Sequence, residues 1–159
     1  ILPFGLQPLQ RTQLGHLVGH GSIAMIDKAF SIRQAVIDVK IRQECQDRFL
    51  KYYKENIANE TKLFDGVETL LHELKQAGYA LAVCTNKQEH FARQLVSALN
   101  IQHYFEAITG GDSFEFRKPD PRHIIKTAEL AGGAATNTLM VGDTITDIDA
   151  AKRANISVI

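Results

Sequence analysis

Apolar positions along the chain change texture once, near residue 62. From Leu9 to about Ala58 they recur at helical spacing, with Ile37, Ile41, Cys45 and Phe49 four residues apart along one face, and no run there predicts a strand. Gly19-His20-Gly21 interrupts this region, and Ser22 is placed to cap a short helix over Ile23 to Phe30. Residues 1–62 are therefore expected to form a small all-helical unit.

Beyond Lys62, Val67, Leu70, Leu71, Leu74 and Ala77 make a helical stripe ended by Gly78, and an apolar run from Tyr79 to Cys84 follows at once. The alternation continues with a helix around Phe91, Leu95 and Leu99, a short strand near Ala107 to Thr109, and a helix with Asp120 as cap and Pro121 as first residue. A strand over Thr138 to Val141, a helix from about Thr146 to Ala154 and a strand starting at Ile156 complete the pattern. This βαβ spacing predicts an α/β unit over residues 63–159, a parallel sheet with flanking helices. Side chains at the carboxyl ends of parallel strands gather along one edge, here Thr85, Asn86, Gly110, Gly111, Asp112 and Asp143, and the helical unit is expected to cover it.

With 45% hydrophobic and 23% charged residues over 159 positions, the chain has material for one core and a small appendage. Eighteen basic residues balance eighteen acidic ones, so no overall field attracts nucleic acid or an anionic membrane, and neither is expected as a partner. No membrane span or secretory signal is visible, which makes the cytoplasm the expected location. Cys45 and Cys84, far apart in the chain, read as structural thiols. The chain opens on Ile1 and closes at Ile159 inside a predicted strand, so both ends are expected to be cut.

Three segments carry candidate chemistry. Thr85-Asn86 stands at a strand end, where either residue also serves as a helix starter. Arg117-Lys118-Pro119-Asp120-Pro121 sets a lysine just ahead of a helix N-terminus, a poor place for a cation unless an anion is near; an exposed loop lysine is the alternative. Val141-Gly142-Asp143-Thr144-Ile145-Thr146-Asp147 runs an apolar strand into two carboxylates, hard oxygen ligands that suit Mg²⁺ and equally suit turn and cap positions of the next helix.

A hydroxyl, a lysine and an acidic pair in that order at successive strand ends resemble the haloacid dehalogenase-like hydrolases. The likeness rests on Thr85 after an apolar strand, Lys118 in Lys-Pro-Asp-Pro, and Gly142-Asp143 with Asp147 ahead of Ala150-Ala151-Lys152-Arg153-Ala154. Phe64-Asp65-Gly66-Val67, Leu81 to Lys87 and Leu17-Val18-Gly19-His20-Gly21 are similar to the phosphoglycolate phosphatase branch. The resemblance implies a Rossmann-like core over 63–159 with a helical cap domain over 1–62, and Mg²⁺-dependent hydrolysis of a small phosphate monoester, phosphoglycolate first among candidates. It implies phosphate binding by Thr85, Asn86 and Lys118, a metal ligand in Asp143, and Asp147 orienting Lys118 or a metal-bound water. His20 and Gly21 would meet the substrate from the cap, although a solvated histidine is equally in keeping with the glycines around it. Asn155, where the family more often has Gly, tolerates the left-handed conformation, so the turn is expected to survive.

The family's first motif, an Asp-x-Asp-Gly-Thr loop whose leading Asp attacks phosphorus to give an aspartyl phosphate, does not occur in these residues. Asp65-Gly66 lacks an earlier partner Asp and a preceding strand, and Asp147-Ile148-Asp149 lacks the Gly-Thr. The nucleophile is therefore expected outside the chain, with both the first core strand and the C-terminal end missing. The competing expectation is a non-catalytic fragment or binding remnant of the same fold. A nucleotide-binding α/β domain ranks last, because neither Gly-x-Gly-x-x-Gly nor Gly-Lys-Ser/Thr is present. Nothing in the sequence signals an oligomeric state.

Overall fold

The computed structural model describes residues 1–14 and 21–159, which divide into two compact units, Ile1–Asn56 and Ile57–Ile159. The first unit is helical: a 3₁₀ turn at Leu2–Phe4, α1 (Arg11–Leu14), α2 (Ser22–Ile32) and α3 (Val39–Asn56). Ile26, Phe30 and Cys45 form its centre, packed by Phe4, Leu6, Ile37 and Ile41.

Two details differ from the sequence pattern. Ser22 is the first residue of α2 rather than its cap; Gly21 takes the cap position at φ 95°, a conformation that costs glycine little, and no side chain caps the helix. Ile37 lies ahead of α3, because Asp38 Oδ1 accepts the Ile41 N–H at 2.7 Å and starts the helix there. The four-residue stripe thus begins at Ile41, and Phe49, 37% exposed, stacks on Tyr53 instead of entering the core.

The second unit alternates as expected: α4 (Val67–Gln76), β1 (Ala82–Cys84), α5 (Glu89–Ala98), β2 (Ala107–Thr109), α6 (Pro121–Leu130), β3 (Leu139–Met140), α7 (Ile145–Arg153) and β4 (Ser157–Val158). β1 pairs in parallel with β2, Ala82 opposite Ala107 and Cys84 opposite Thr109, and β3 pairs in parallel with β4, Leu139 opposite Ser157. Hydrogen bonding among the described residues gives two pairs, so β1 and β3 each keep an edge without a strand partner. Strand β1 begins later than the apolar run, because the Tyr79 N–H bonds the Leu74 carbonyl and the Gly78 N–H the Lys75 carbonyl, closing α4 instead. One core cluster joins Ala92 and Val96 of α5 to Ile101, Tyr104 and Ile108. The other joins Ile124 of α6 to Ala150, Ala151 and Ala154 at the α7 end and to Ile156, with Cys84 and Met140 against it. Ala150 and Ala151 have no exposed surface, and a methyl is all the α6–α7 contact accommodates.

Candidate active site

The carboxyl end of β1 continues as Thr85-Asn86, and the Thr85 N–H bonds the Thr109 carbonyl, which extends the β1–β2 ladder into the site. Thr85 Oγ1 accepts the Lys87 N–H at 3.2 Å and keeps its own proton to donate. The loops after β1 and β2 touch backbone to backbone: a Cβ on Gly110 would lie 2.2 Å from Glu89 N, and one on Gly111 2.5 Å from the Asn86 carbonyl oxygen. Glycine is required there by contact rather than by an unusual φ.

Lys118 ends the β2–α6 loop. Asp120 then caps α6, accepting the Arg122 N–H at 3.0 Å, with Pro121 as first helical residue. The Arg122 guanidinium pulls the Asp120 carboxyl down to about 2 and lies 4.3 Å over the Phe116 ring. The Lys118 side chain is 7% exposed. Its ammonium donates to the last carbonyl of β1, Cys84 O, at 2.5 Å and to Asp147 Oδ1 at 2.6 Å. Its main-chain carbonyl accepts the Asn86 side-chain Nδ2 at 2.9 Å. The partner on Lys118 O fixes the orientation of the Asn86 amide, and Oδ1 is then a buried acceptor with no donor, the sole such side-chain atom among the described residues.

Asp147 divides its two oxygens. Oδ1 takes Lys118, while Oδ2 takes the Thr144 N–H at 3.1 Å and the Thr144 hydroxyl at 2.6 Å, closing the first turn of α7. It is thus both cap and lysine partner. Burial pushes its carboxyl up, but the bonds from Lys118 and Thr144 with the lysine charge outweigh that and hold it below the ordinary value. Gly142 allows this approach, since a Cβ there would lie 2.4 Å from Asp147 Cβ. Asp143, next along, is exposed and forms no hydrogen bond or ion pair among the described residues. Such an uncommitted hard-oxygen donor at a strand end fits a divalent metal as one ligand. No three His, Cys, Asp or Glu side chains among the described residues cluster closely enough to hold an ion by themselves.

The structure therefore brings together Thr85, Asn86, Lys118 and Asp147, with Asp143 beside Gly142. Gly21 heads α2 in the other unit, and His20 lies outside the described residues. Three residues that the sequence pattern did not single out also meet Lys118 directly or through one another: His123, Thr109 and Thr127. His123 has no exposed surface, and burial, then the Lys118 charge, pushes its imidazole down to about 4. Burial likewise pushes the neighbouring Cys84 thiol up, so it stays protonated near neutral pH.

The family model of the haloacid dehalogenase-like hydrolases matches residues 1–159. A phosphoglycolate phosphatase of Mesorhizobium japonicum is 45% identical over 142 residues, 89% of this chain and 63% of that protein. One from Agrobacterium fabrum is 43% identical over 152 residues, 96% of this chain and 65% of that protein. The chain thus spans less than two thirds of the length of these relatives. A crystal structure described as a predicted phosphoglycolate phosphatase from Haemophilus somnus 129pt superposes with a TM-score of 0.91 at 27% identity, covering 99% of this chain and 72% of that one. On the match across its whole length, the chain belongs to the haloacid dehalogenase-like hydrolase family.

Proposed function

We propose that these residues are most of a phosphatase that hydrolyses a small phosphate monoester, phosphoglycolate foremost among candidates. The observation that carries the reading is the buried Lys118 ammonium. Two of its three protons are fixed, on Cys84 O and Asp147, which leaves one to meet an anion. An ammonium held in that way needs no reorganisation when negative charge arrives, which is what stabilises a phosphoryl group in transfer. The Thr85 hydroxyl would donate to a second phosphate oxygen, and Asn86 keeps the Lys118 main chain in place while its second amide N–H remains available.

In this proposal the attacking carboxylate, through which an aspartyl phosphate forms, comes from outside residues 1–159. Its support is the open edges of β1 and β3 and the exposure of Leu139, Val141 and Ile159, 54%, 71% and 74%, which suit a further strand laid between the pairs. Mg²⁺, with Asp143 among its ligands, would supply neutralisation of the phosphoryl charge. The relatives' names support the substrate class.

The test is phosphate release from 2-phosphoglycolate and a generic aryl phosphate by the protein that carries this chain, beside its Lys118→Ala variant. Release by the parent and a loss of about 100-fold or more in the variant are expected. Undiminished release in the variant would return Lys118 to a structural role, and no release by the parent would favour the binding remnant.

A further inference from the structure

A fully buried imidazole needs a partner for each ring nitrogen, and His123 has both. Its Nδ1 lies 3.3 Å from the Lys118 main-chain nitrogen, which can only donate, so Nδ1 accepts and the ring proton sits on Nε2. Nε2 is 3.2 Å from Thr109 Oγ1, Thr109 Oγ1 is 2.6 Å from Thr127 Oγ1, and the Thr127 hydroxyl donates to the His123 carbonyl at 2.7 Å. Thr109 Oγ1 also lies 3.3 Å from the Val83 carbonyl, an acceptor for its one proton, so it receives the Nε2 proton whichever way the threonine pair is oriented. The contacts close a cycle, from imidazole to Thr109 to Thr127 and back to the His123 carbonyl, which the Lys118 N–H joins at Nδ1 and the Val83 carbonyl at Thr109. Thr109 belongs to β2 and Thr127 to α6, so the cycle is anchored in both elements that flank the loop.

We infer that His123 is a positioning residue for Lys118: the neutral imidazole, oriented by Thr109 and Thr127, holds the lysine's main chain from one side while Asn86 holds it from the other. Among the described residues no backbone group bonds the Lys118 main chain, and the direction of a long side chain follows its Cα. A buried histidine that merely filled the core would leave the lysine indifferent to its nitrogens. The inference rests on the phosphate-binding reading of Lys118 for its consequence in turnover, though not for its geometry.

The experiment uses two substitutions in the intact protein. His123→Asn places an amide oxygen near the site of Nδ1, and His123→Leu offers no acceptor. The Lys118 amide proton is expected to exchange slowly in the parent and in His123→Asn and at least about tenfold faster in His123→Leu. Well below both unfolding midpoints, kcat is expected to stay within about threefold of the parent in the Asn variant and to fall at least about tenfold in the Leu variant, with KM nearly constant in both. A purely structural role would follow the unfolding midpoints instead of separating the two variants. Unchanged exchange at Lys118 in His123→Leu overturns the positioning role even if the phosphatase reading stands, and absent phosphatase activity in the parent removes that reading while exchange still decides the geometry. Where His123→Leu does not fold, the ring ¹⁵N shifts of the parent decide: a neutral Nε2–H ring across pH 5 to 8 supports the cycle, and an Nδ1–H or charged ring overturns it.

Discussion

Lys118 and Asp147 lie 2.6 Å apart with side chains each 7% exposed, and removing one member of such a pair strands the other charge in a place water does not reach. Lys118→Ala is therefore expected to cost about 3 kcal/mol in urea unfolding, and adding Asp147→Asn should recover part of it; equal or additive losses would show that the two are not coupled. His123 adds a pH dependence with a definite sign. Its imidazole sits at about 4 instead of the ordinary 6.5, so between those values the unfolded chain binds a proton the folded chain refuses. Its contribution is fully present above about pH 6.5 and falls by about 3 kcal/mol as pH drops to 4, with the depressed Asp147 carboxyl adding loss at lower pH. Urea midpoints from pH 7 to 4.5 should decline in the parent and flatten in His123→Asn; identical slopes would remove His123 as the cause. Thr85, Lys118, Asp143 and Asp147 could be singled out from sequence because their types and order along the chain resemble a family pattern. His123, Thr109 and Thr127 were not, since a histidine inside a helix and a threonine in a strand carry no signal until the fold joins their side chains.

At the scale of elements, five helices end in the same way. After α2, α4, α5, α6 and α7 the chain turns through a left-handed residue, at Gln34, Gly78, Asn100, Gly132 and Asn155. In each case the next residue's N–H reaches back to the helix, as Ala35 does to Phe30, Tyr79 to Leu74 and Ile156 to Ala151. Gly78 was readable as a stop, and Asn155 keeps the turn at φ 55°, as its short amide side chain allows. Gln34 carries the same conformation at φ 52° without that tolerance. Gln34→Gly should therefore stabilise the protein by about 0.5–1 kcal/mol, read as a raised urea midpoint at constant slope; a lowered midpoint would mean that Gln34 makes a compensating contact. Strand ends were less legible than helix ends, because the apolar run from Tyr79 looks alike whether it closes a helix or opens a strand.

For the whole molecule, α/β alternation and parallel pairing could be read from spacing, whereas the interruption between the two strand pairs was expected only from the missing first core strand of the family resembled, since open edges leave no mark on periodicity. No helix among the described residues is long and apolar enough to cross a membrane. The proposed phosphatase activity requires that the edge holding Thr85, Lys118 and Asp143 bind phosphate with a divalent metal. Asp143 tests it most cleanly, because its exposed and uncommitted carboxylate makes Asp143→Asn nearly neutral for folding, within about 0.5 kcal/mol. The measurement is phosphate release from 2-phosphoglycolate against Mg²⁺ concentration for the intact protein and for Asp143→Asn at matched unfolding midpoints. Metal-dependent release by the parent and a loss of about 100-fold or more with weakened Mg²⁺ dependence in the variant are expected. Parental turnover and an unchanged Mg²⁺ curve in Asp143→Asn would contradict that requirement.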